Sequence, residues 1–405
     1  MPRLASLSES VVILGAIRTP IGAVGGALAP LSARDLATHA IRGVLRQTGI
    51  DPALVEYTSL GWVAQDPRFT NIARLAAEGA GIPWTSPGTT LHENCASGGA
   101  AIHDVARRIL LGEIEVGVAG GTESMSNVPR YLFAGRLGGQ LYGDFALEDG
   151  LMGALLERDL GPRGELMGLM TERLVERWGL TREAQDEVAF RSHANATRAW
   201  DEGAFSDYVL PVEVPRRKQE PLLVSRDEGP RRVDMAYFSR ARPYFKPEGG
   251  TVTSQNSSSI NDAAAALILA SEARARSLGL RPLARLRAWR NVGVERTYMG
   301  EGAFKVVPAL LERARLGLGD IDFLELNEAF AAVLAAAFVF LPELPVEKVN
   351  AWGSGISLGH PVGCTGARQV VDMVHQLRRR GGRLGLTSRC VGGGIGSGEI
   401  VEVEP

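Results

Sequence analysis

An internal repetition narrows the fold more than any other feature of the sequence. In one segment a β-like run enters Glu93-Asn94-Cys95-Ala96-Ser97-Gly98-Gly99. An amphipathic helix follows with Ile102, Val105, Ile109 and Leu110 on one face, and Ile114 to Ala119 then leads into Gly120-Gly121. In a distant segment Val349 to Trp352 enters a Gly-rich stretch through His360. A helix with Val370, Met373 and Leu377 follows, and Leu384 to Arg389 leads into Cys390 and Gly392-Gly393-Gly394. The order strand, Gly-rich turn, helix, strand, Gly-rich turn therefore occurs twice, which is how a duplicated supersecondary unit reads in sequence. Elsewhere short β-rich runs alternate with helical stretches, as in Val11 to Ala16 followed by Ala33 to Thr48, where Leu36, His39, Ala40, Val44 and Leu45 keep helical spacing. That alternation predicts an α/β fold with crossover helices.

Between the two copies lies a less regular stretch, 126–259, with a polar helix near Thr181 to Glu202 and a Pro/Arg-rich run from Pro211 to Arg232. It reads as an insertion lying over one half. Its arginines, Arg216, Arg217, Arg226, Arg231, Arg232, Arg240 and Arg242, suit a phosphate-bearing ligand; a solvated charged surface is the alternative. The chain has 49 glycines in 405 residues, well above the usual ~7%. They fall in clusters, which points to tight turns and close backbone approaches rather than to linkers.

A formal net charge of -2 removes any global attraction to nucleic acid or anionic membrane. No apolar run approaches the ~18 residues that span a bilayer; Ala329 to Leu341 has the length of a buried core helix. No signal-peptide pattern precedes Val11, so a cytoplasmic location is expected. The three cysteines, Cys95, Cys364 and Cys390, are far apart and lack Cys-x-x-Cys spacing, which argues against a disulfide framework or a structural metal site.

Cys95 sits where a strand ends and a helix begins. There the helix dipole and free N–H groups are expected to stabilise a thiolate, which makes it a nucleophile candidate; a small buried Cys filling space is the alternative. His360 lies on a Gly/Pro-bounded turn before a helix, a place that aims a side chain better than a core helix does. Cys390 ends a strand and runs into glycines whose N–H groups can approach a ligand oxygen closely. Two thiols and an imidazole are thus expected to converge where the two copies face each other. By strand alternation His92 should point away from Cys95. Cys364, in the first turn of the helix after His360, is a second low-pKa thiol candidate, with a small packing residue as the favoured alternative. His39, His103, His193 and His375 lie in helical stretches without a partner motif. Gly22-Ala23-Val24-Gly25-Gly26 and Gly392 to Gly398 lack the full context of a dinucleotide loop.

Taken together, these residues resemble the thiolases, the acetyl-CoA acetyltransferase and 3-ketoacyl-CoA thiolase family, over nearly the whole chain. The resemblance rests on Arg18-Thr19-Pro20-Ile21-Gly22, Asn94-Cys95-Ala96-Ser97-Gly98, Gly120-Gly121-Thr122-Glu123-Ser124-Met125-Ser126, Gly250-Thr251-Val252-Thr253, Asn261-Asp262, Asn327-Glu328-Ala329-Phe330, Gly359-His360-Pro361 and Cys390-Val391-Gly392-Gly393-Gly394. It implies a five-layered αβαβα fold from two duplicated halves with an inserted loop domain. The halves are 1–125 plus 260–282 and 283–405, and 126–259 is the CoA-binding insertion. It also implies reversible thiolysis of 3-ketoacyl-CoA, or Claisen condensation of two acetyl-CoA. Cys95 would form an acyl-enzyme with His360 activating its thiol, and Cys390 would act as the acid/base. One oxyanion site would be built from His360 and a water on Asn327, the other from the N–H groups of Cys95 and Gly392. Ser258 and Arg231 would contact CoA. No cofactor is implied, since CoA and its thioesters are substrates. A homodimer or homotetramer is implied, and a multienzyme β-oxidation partner is compatible with it.

The sequence departs from the family's usual pattern at three places. Leu166-Met167-Gly168 stands where biosynthetic members usually have His-Met-Gly, His92 stands where Asn is common, and Arg389 precedes Cys390. Arg389 is expected to favour the Cys390 thiolate or, by strand alternation, to point away from it. A β-ketoacyl synthase-like condensing enzyme would call for a Cys with two His, where Asn327 and Cys390 stand here. A non-catalytic acyl-CoA or lipid-binding protein on the same scaffold would have lost a nucleophile.

Overall fold

The computed structural model describes residues 10–132, 144, 146–161 and 164–404. Its first half contains β1 (Val11–Arg18), α1 (Ala33–Thr48), β2 (Tyr57–Gly61), α2 (Ile72–Gly79), β3 (Gly88–Leu91), α3 (Ser97–Leu110) and β4 (Val116–Ser124). The inserted stretch supplies α4 (Met167–Trp178), α5 (Arg182–Asp201) and the hairpin β5 (Val212–Arg216) with β6 (Gln219–Val224). The chain then returns to the first sheet as β7 (Asn261–Ser271). The second half is β8 (Ala284–Gly293), α6 (Gly302–Ala314), β9 (Phe323–Leu326), α7 (Ala331–Phe340), α8 (Val362–Arg380), β10 (Leu384–Val391) and β11 (Ile395–Glu402). The hairpin was not expected in the Pro/Arg-rich run. Val212 and Val214 bury one side of it, while Lys218 adopts a left-handed φ of 59° at the turn.

Strand pairing repeats between the halves. β2 is parallel to β4, β4 antiparallel to β7, and β7 antiparallel to β1. Likewise β9 is parallel to β10, β10 antiparallel to β11, and β11 antiparallel to β8. Even the place of β3 has a counterpart, a parallel bridge from Leu324 to Val349. A short antiparallel contact, Val12 with Arg285 and Ile13 with Ala284, joins the two sheets edge to edge.

Side-chain alternation sorts the residues into layers. Along β7, Ala263, Ala265, Leu267 and Leu269 face a core that contains Ile102 and Val105 of α3 and Val370 and Met373 of α8. Ala264, Ala266, Ile268 and Ala270 face Leu36, Ile41 and Val44 of α1 instead. On the second sheet Leu384, Leu386 and Cys390 pack toward Phe304 and Val307 of α6 and Val333 of α7. The result is five layers, with α3 and α8 sandwiched between two sheets that are buried on both faces. This explains why β7 is apolar at almost every position.

The sandwiched layer also carries buried charge. Arg18 of β1 donates to Asp227 in the inserted stretch and to Asp372 of α8, each at 2.8 Å. Removing one partner of such a buried pair typically costs about 3–5 kcal/mol, so Arg18 ties the insertion to the sandwich. Arg389 points into this layer, opposite to Cys390, and pairs with Glu399, which also bonds His103 at 2.8 Å. Of the two readings of Arg389, the one based on strand alternation holds. His103 has a structural partner that its sequence context did not reveal.

Candidate active site

Repetition places the two turns that open α3 and α8 side by side. Cys95 lies in the turn before α3, built by Ser97, whose hydroxyl accepts from the Glu93 N–H at 2.9 Å and donates to the Asn94 carbonyl at 2.7 Å. Asn94 takes a left-handed φ of 45° there. His360 lies in the turn before α8. Gly359 has a φ of 112° at this point, and a side chain on it would strike the Asn261 amide at 2.6 Å. The His360 N–H donates to Asn261 Oδ1 at 2.8 Å, and Asn261 Nδ2 donates to the Gly22 carbonyl at 3.0 Å.

These anchors hold His360 Nε2 at 3.3 Å from Cys95 Sγ. The other ring nitrogen, Nδ1, is 2.7 Å from Thr365 Oγ1. The Thr365 hydroxyl in turn donates to the Pro361 carbonyl at 3.0 Å, so its oxygen accepts from Nδ1–H. That leaves the lone pair of Nε2 facing the thiol, the tautomer a general base requires. Thr365 escaped sequence analysis; its signal was a hydroxyl residue one helical turn past a Gly-His-Pro turn.

Burial, rather than the helix dipole, sets the charge state of the site. The Cys95 thiol is pushed up to about 11 by desolvation, against which the backbone N–H groups of Gly392 and Cys95 and the Arg389 charge act more weakly. The expected thiolate stabilisation at the helix terminus is thus overturned. A terminus contributes about 0.3–1 kcal/mol, whereas full burial can move a group by several pKa units. His360 is driven down to about 3, first by burial and then by the Arg368 charge. Cys390 is pushed well above the ordinary thiol value by burial and by the neighbouring Cys95. At rest the trio is a neutral thiol, a neutral imidazole and a second neutral thiol. Glu123, buried beside them and pushed up to about 7 by desolvation, accepts N–H bonds from Val63, Ala64 and Gly363 and braces the start of α8.

Cys95, His360 and Cys390 open onto one cavity of about 440 Å³, within the size range of small-molecule sites. Its walls include Met125, Met152, Leu155, Leu166, Met167, Phe245, Met299 and Phe330, with Ser258 among the few polar groups. Gly392, which does not line this cavity, packs against Met167, and Asn94 Nδ2 donates to its carbonyl at 2.9 Å. Asn327 is wholly buried, and neither Nδ2 nor Oδ1 of its amide has a protein partner among the described residues. A buried amide left open on both ends fits a water-binding role. Arg231 stands apart: it is exposed, bonds the Tyr237 hydroxyl at 2.9 Å and lines a separate surface groove with Arg198 and Asp201. Cys364 is buried in the central layer and its thiol is pushed up to about 12 by burial; it packs against the core and does not face the cavity. His92 is not among the residues that line this cavity; its Nε2 lies 3.2 Å from Asn94 Oδ1, two residues along the chain. Among the described residues no His, Cys, Asp and Glu cluster has the makings of a metal site, and no helix is long and apolar enough to cross a membrane.

Comparison with known proteins agrees with this fold. Residues 11–273 match the family description "Thiolase, N-terminal domain" and residues 280–403 match "Thiolase, C-terminal domain". A Staphylococcus aureus protein named "Probable acetyl-CoA acyltransferase" is 40% identical over 396 residues, covering 96% of this chain and 98% of its own. The Bacillus anthracis acetyl-CoA acetyltransferase structure superposes with a TM-score of 0.95 at 40% identity, covering 99% of this chain and all of that one. Human mitochondrial 3-ketoacyl-CoA thiolase superposes with a TM-score of 0.93 at 34% identity, covering 98% of this chain and 99% of that one; its complex with CoA gives 0.92. Two matched domains spanning nearly every residue, with relatives aligned end to end, place the chain in the thiolase family.

Proposed function

We propose that this thiolase works through an acyl-enzyme on Cys95, and that its preferred reaction is thiolysis of 3-ketoacyl-CoA longer than acetoacetyl-CoA. The observation that carries the first part is the 3.3 Å approach of His360 Nε2 to Cys95 Sγ inside a cavity that also holds Cys390. His360 takes the thiol proton as sulfur attacks the keto carbon, and the C2–C3 bond then breaks to give the Cys95 thioester and an acetyl-CoA enolate. Cys390 protonates that enolate. The proton on His360 then restores the Cys390 thiol, and CoA attacks the thioester with its thiol proton passed through His360 to the departing Cys95 sulfur; this releases the shortened acyl-CoA and balances atoms and protons over the cycle. Condensation is the same path reversed.

The oxyanions of this path would be met by the N–H groups of Cys95 and Gly392 on one side, and by His360 with a water on Asn327 on the other. Ser258, which lines the cavity, would contact the pantetheine arm. Arg231, outside the cavity, is left for the nucleotide end of CoA. The preference for longer chains rests on the walls. Leu166 stands where a His would make the pocket polar, and Met152, Leu155 and Met299 extend the apolar surface. A homo-oligomer and a β-oxidation setting belong to the same proposal.

Incubation with acetyl-CoA is expected to add one acetyl group, mapped by peptide mass to Cys95. An unmodified Cys95, with activity retained in Cys95→Ala, would overturn the mechanism. Thiolysis rates across a 3-ketoacyl-CoA series should rise beyond the four-carbon substrate; a maximum at acetoacetyl-CoA would assign the chain to the short-chain branch.

A further inference from the structure

The His360 ring is fixed by Thr365 at Nδ1, which leaves the question of what fixes the backbone that carries it. On one side Pro361 follows, and its carbonyl accepts the Cys364 and Thr365 N–H groups at 2.9 Å as α8 begins. On the other side lies the Gly359–His360 peptide unit, entered through a glycine at a φ of 112° that has no side chain to restrain it. Among the described residues this unit makes one hydrogen bond, from the His360 N–H to Asn261 Oδ1 at 2.8 Å. Asn261 is itself buried and fully engaged. Its Oδ1 also accepts from the Ser259 hydroxyl at 2.9 Å, and its Nδ2 donates to the Gly22 carbonyl at 3.0 Å. Donors meet the oxygen and an acceptor meets the nitrogen, so the amide has one orientation. A Cβ on Gly359 would lie 2.6 Å from Asn261 Cγ, so the amide occupies the space the glycine leaves. Ser259, like Ala23 and Val24 just after Gly22, lines the catalytic cavity.

We propose that Asn261 is a positioning residue that fixes the peptide entering His360, and with it the direction from which the imidazole meets Cys95, by tying that peptide to the cavity wall at Gly22 and Ser259. The role rests on His360 as the base of Cys95. A turn entered through glycine has a wide choice of φ, and a base works only within hydrogen-bond reach of the proton it takes. The position asks for an acceptor and a donor on one small planar group, which an amide supplies and an ionised carboxylate does not. A carboxyl regains the donor when it is protonated, and this separates positioning from mere space filling.

Asn261→Ala and Asn261→Asp are compared with wild type by thermal unfolding, by KM for acetyl-CoA, and by two rates on Cys95 followed by peptide mass, acetylation by acetyl-CoA and alkylation by iodoacetamide. Asn261→Ala is expected to acetylate about 30-fold more slowly with KM changed by no more than about twofold, short of the roughly 10² that a displacement of about 1 Å costs. In Asn261→Asp a protonated carboxyl donates to the Gly22 carbonyl and accepts the His360 N–H as the amide does, whereas the ionised one turns a second acceptor on that carbonyl. Burial and the surrounding acids, Asp262 next in β7, Glu228 on the Ala23 N–H at 2.7 Å and Glu123 on the Gly363 N–H at 2.8 Å, keep such a carboxyl protonated above its ordinary range. The ratio of variant to wild-type rate should therefore be near one at the acid end and fall about tenfold as the pH rises, at temperatures where both proteins are folded. A wild-type acetylation rate in Asn261→Ala, or a ratio in Asn261→Asp that does not change with pH, would overturn the proposal. So would a raised KM at an unchanged rate, which would make Asn261 a support of the cavity wall alone. If Asn261→Ala does not fold, Asn261→Asp decides, since protonation restores its bond. Absence of Cys95 acetylation even in wild type, with an alkylation ratio that still falls with pH in Asn261→Asp, would uphold the positioning role and overturn the acyl-enzyme reading instead.

Discussion

Cys390→Ala is expected to accept an acetyl group on Cys95 at a rate near wild type and yet to lose condensation by about 10³-fold, within the 10²–10⁴ a positioned acid or base supplies. Cys95→Ala should lose both. The asymmetry follows from where the protons reside. Cys390 is a buried thiol held neutral chiefly by desolvation, and a thiolate on Cys95 would raise it further. Acylation fixes the Cys95 sulfur as an uncharged thioester, so the deprotonation that condensation asks of Cys390 meets no negative charge on Cys95. In thiolysis the order reverses: a neutral Cys390 already carries the proton that the enolate must receive. Transfer of acetyl from acetyl-CoA to Cys95 needs no enolate, so Cys390 has no part in it. Rapid-quench acetylation with peptide mapping, run beside a condensation assay, separates the two steps. Loss of acetylation in Cys390→Ala would mean that the roles of the two cysteines are exchanged.

Much of this arrangement was legible from spacing. The repeated strand, turn and helix pattern gave the location of α3, β4, α8 and β10, because apolar periodicity and glycine placement are local signals. The helix from Ala33 to Thr48 was recognisable through its apolar spacing, and in the structure it ends on Gly49 in a left-handed conformation. Alternation along β10 also foretold that Arg389 would turn away from Cys390. Less legible were properties that depend on which distant groups meet. The thiol values were misjudged because a helix terminus can be read in sequence, while the depth of burial that outweighs it cannot. Thr365 and Asn94 carry polar side chains in unremarkable local settings, and their partners, His360 Nδ1 and the Gly392 carbonyl, are fixed only when the halves dock. The β5–β6 hairpin was hidden because Pro215 and a run of arginines mask a two-residue alternation of Val212 and Val214.

The glycine excess has its largest expected effect where α3 crosses α8. A Cβ on Gly366 would lie 2.5 Å from the backbone nitrogen of Gly99 and also strike the Arg389 guanidinium; one on Gly98 would lie 2.7 Å from the backbone nitrogen of Ala367. The two helices touch backbone to backbone at these positions, and a backbone cannot swing aside as a side chain does. Cys95 lies two residues before α3 and His360 two residues before α8, so the helix separation is transmitted directly to the 3.3 Å gap between sulfur and imidazole. Gly366→Ala must force the helices apart by a sizeable part of an ångström. Overpacking of this kind costs about 1–3 kcal/mol of stability, whereas a displacement of about 1 Å in reacting groups costs on the order of 10²-fold in rate. Acetylation of Cys95 should therefore fall about 100-fold in a protein that still unfolds cooperatively at a somewhat lower temperature. Gly319→Ala, exposed and with nothing within 4 Å of the new methyl group, serves as the control and should be neutral in both respects. Wild-type acetylation in Gly366→Ala would show that the two turns, anchored by Asn261 and Ser97, hold the catalytic distance without the helix contact. Loss of rate with little loss of stability would show that the glycines of the central layer set how closely the two halves bring their reactive groups together.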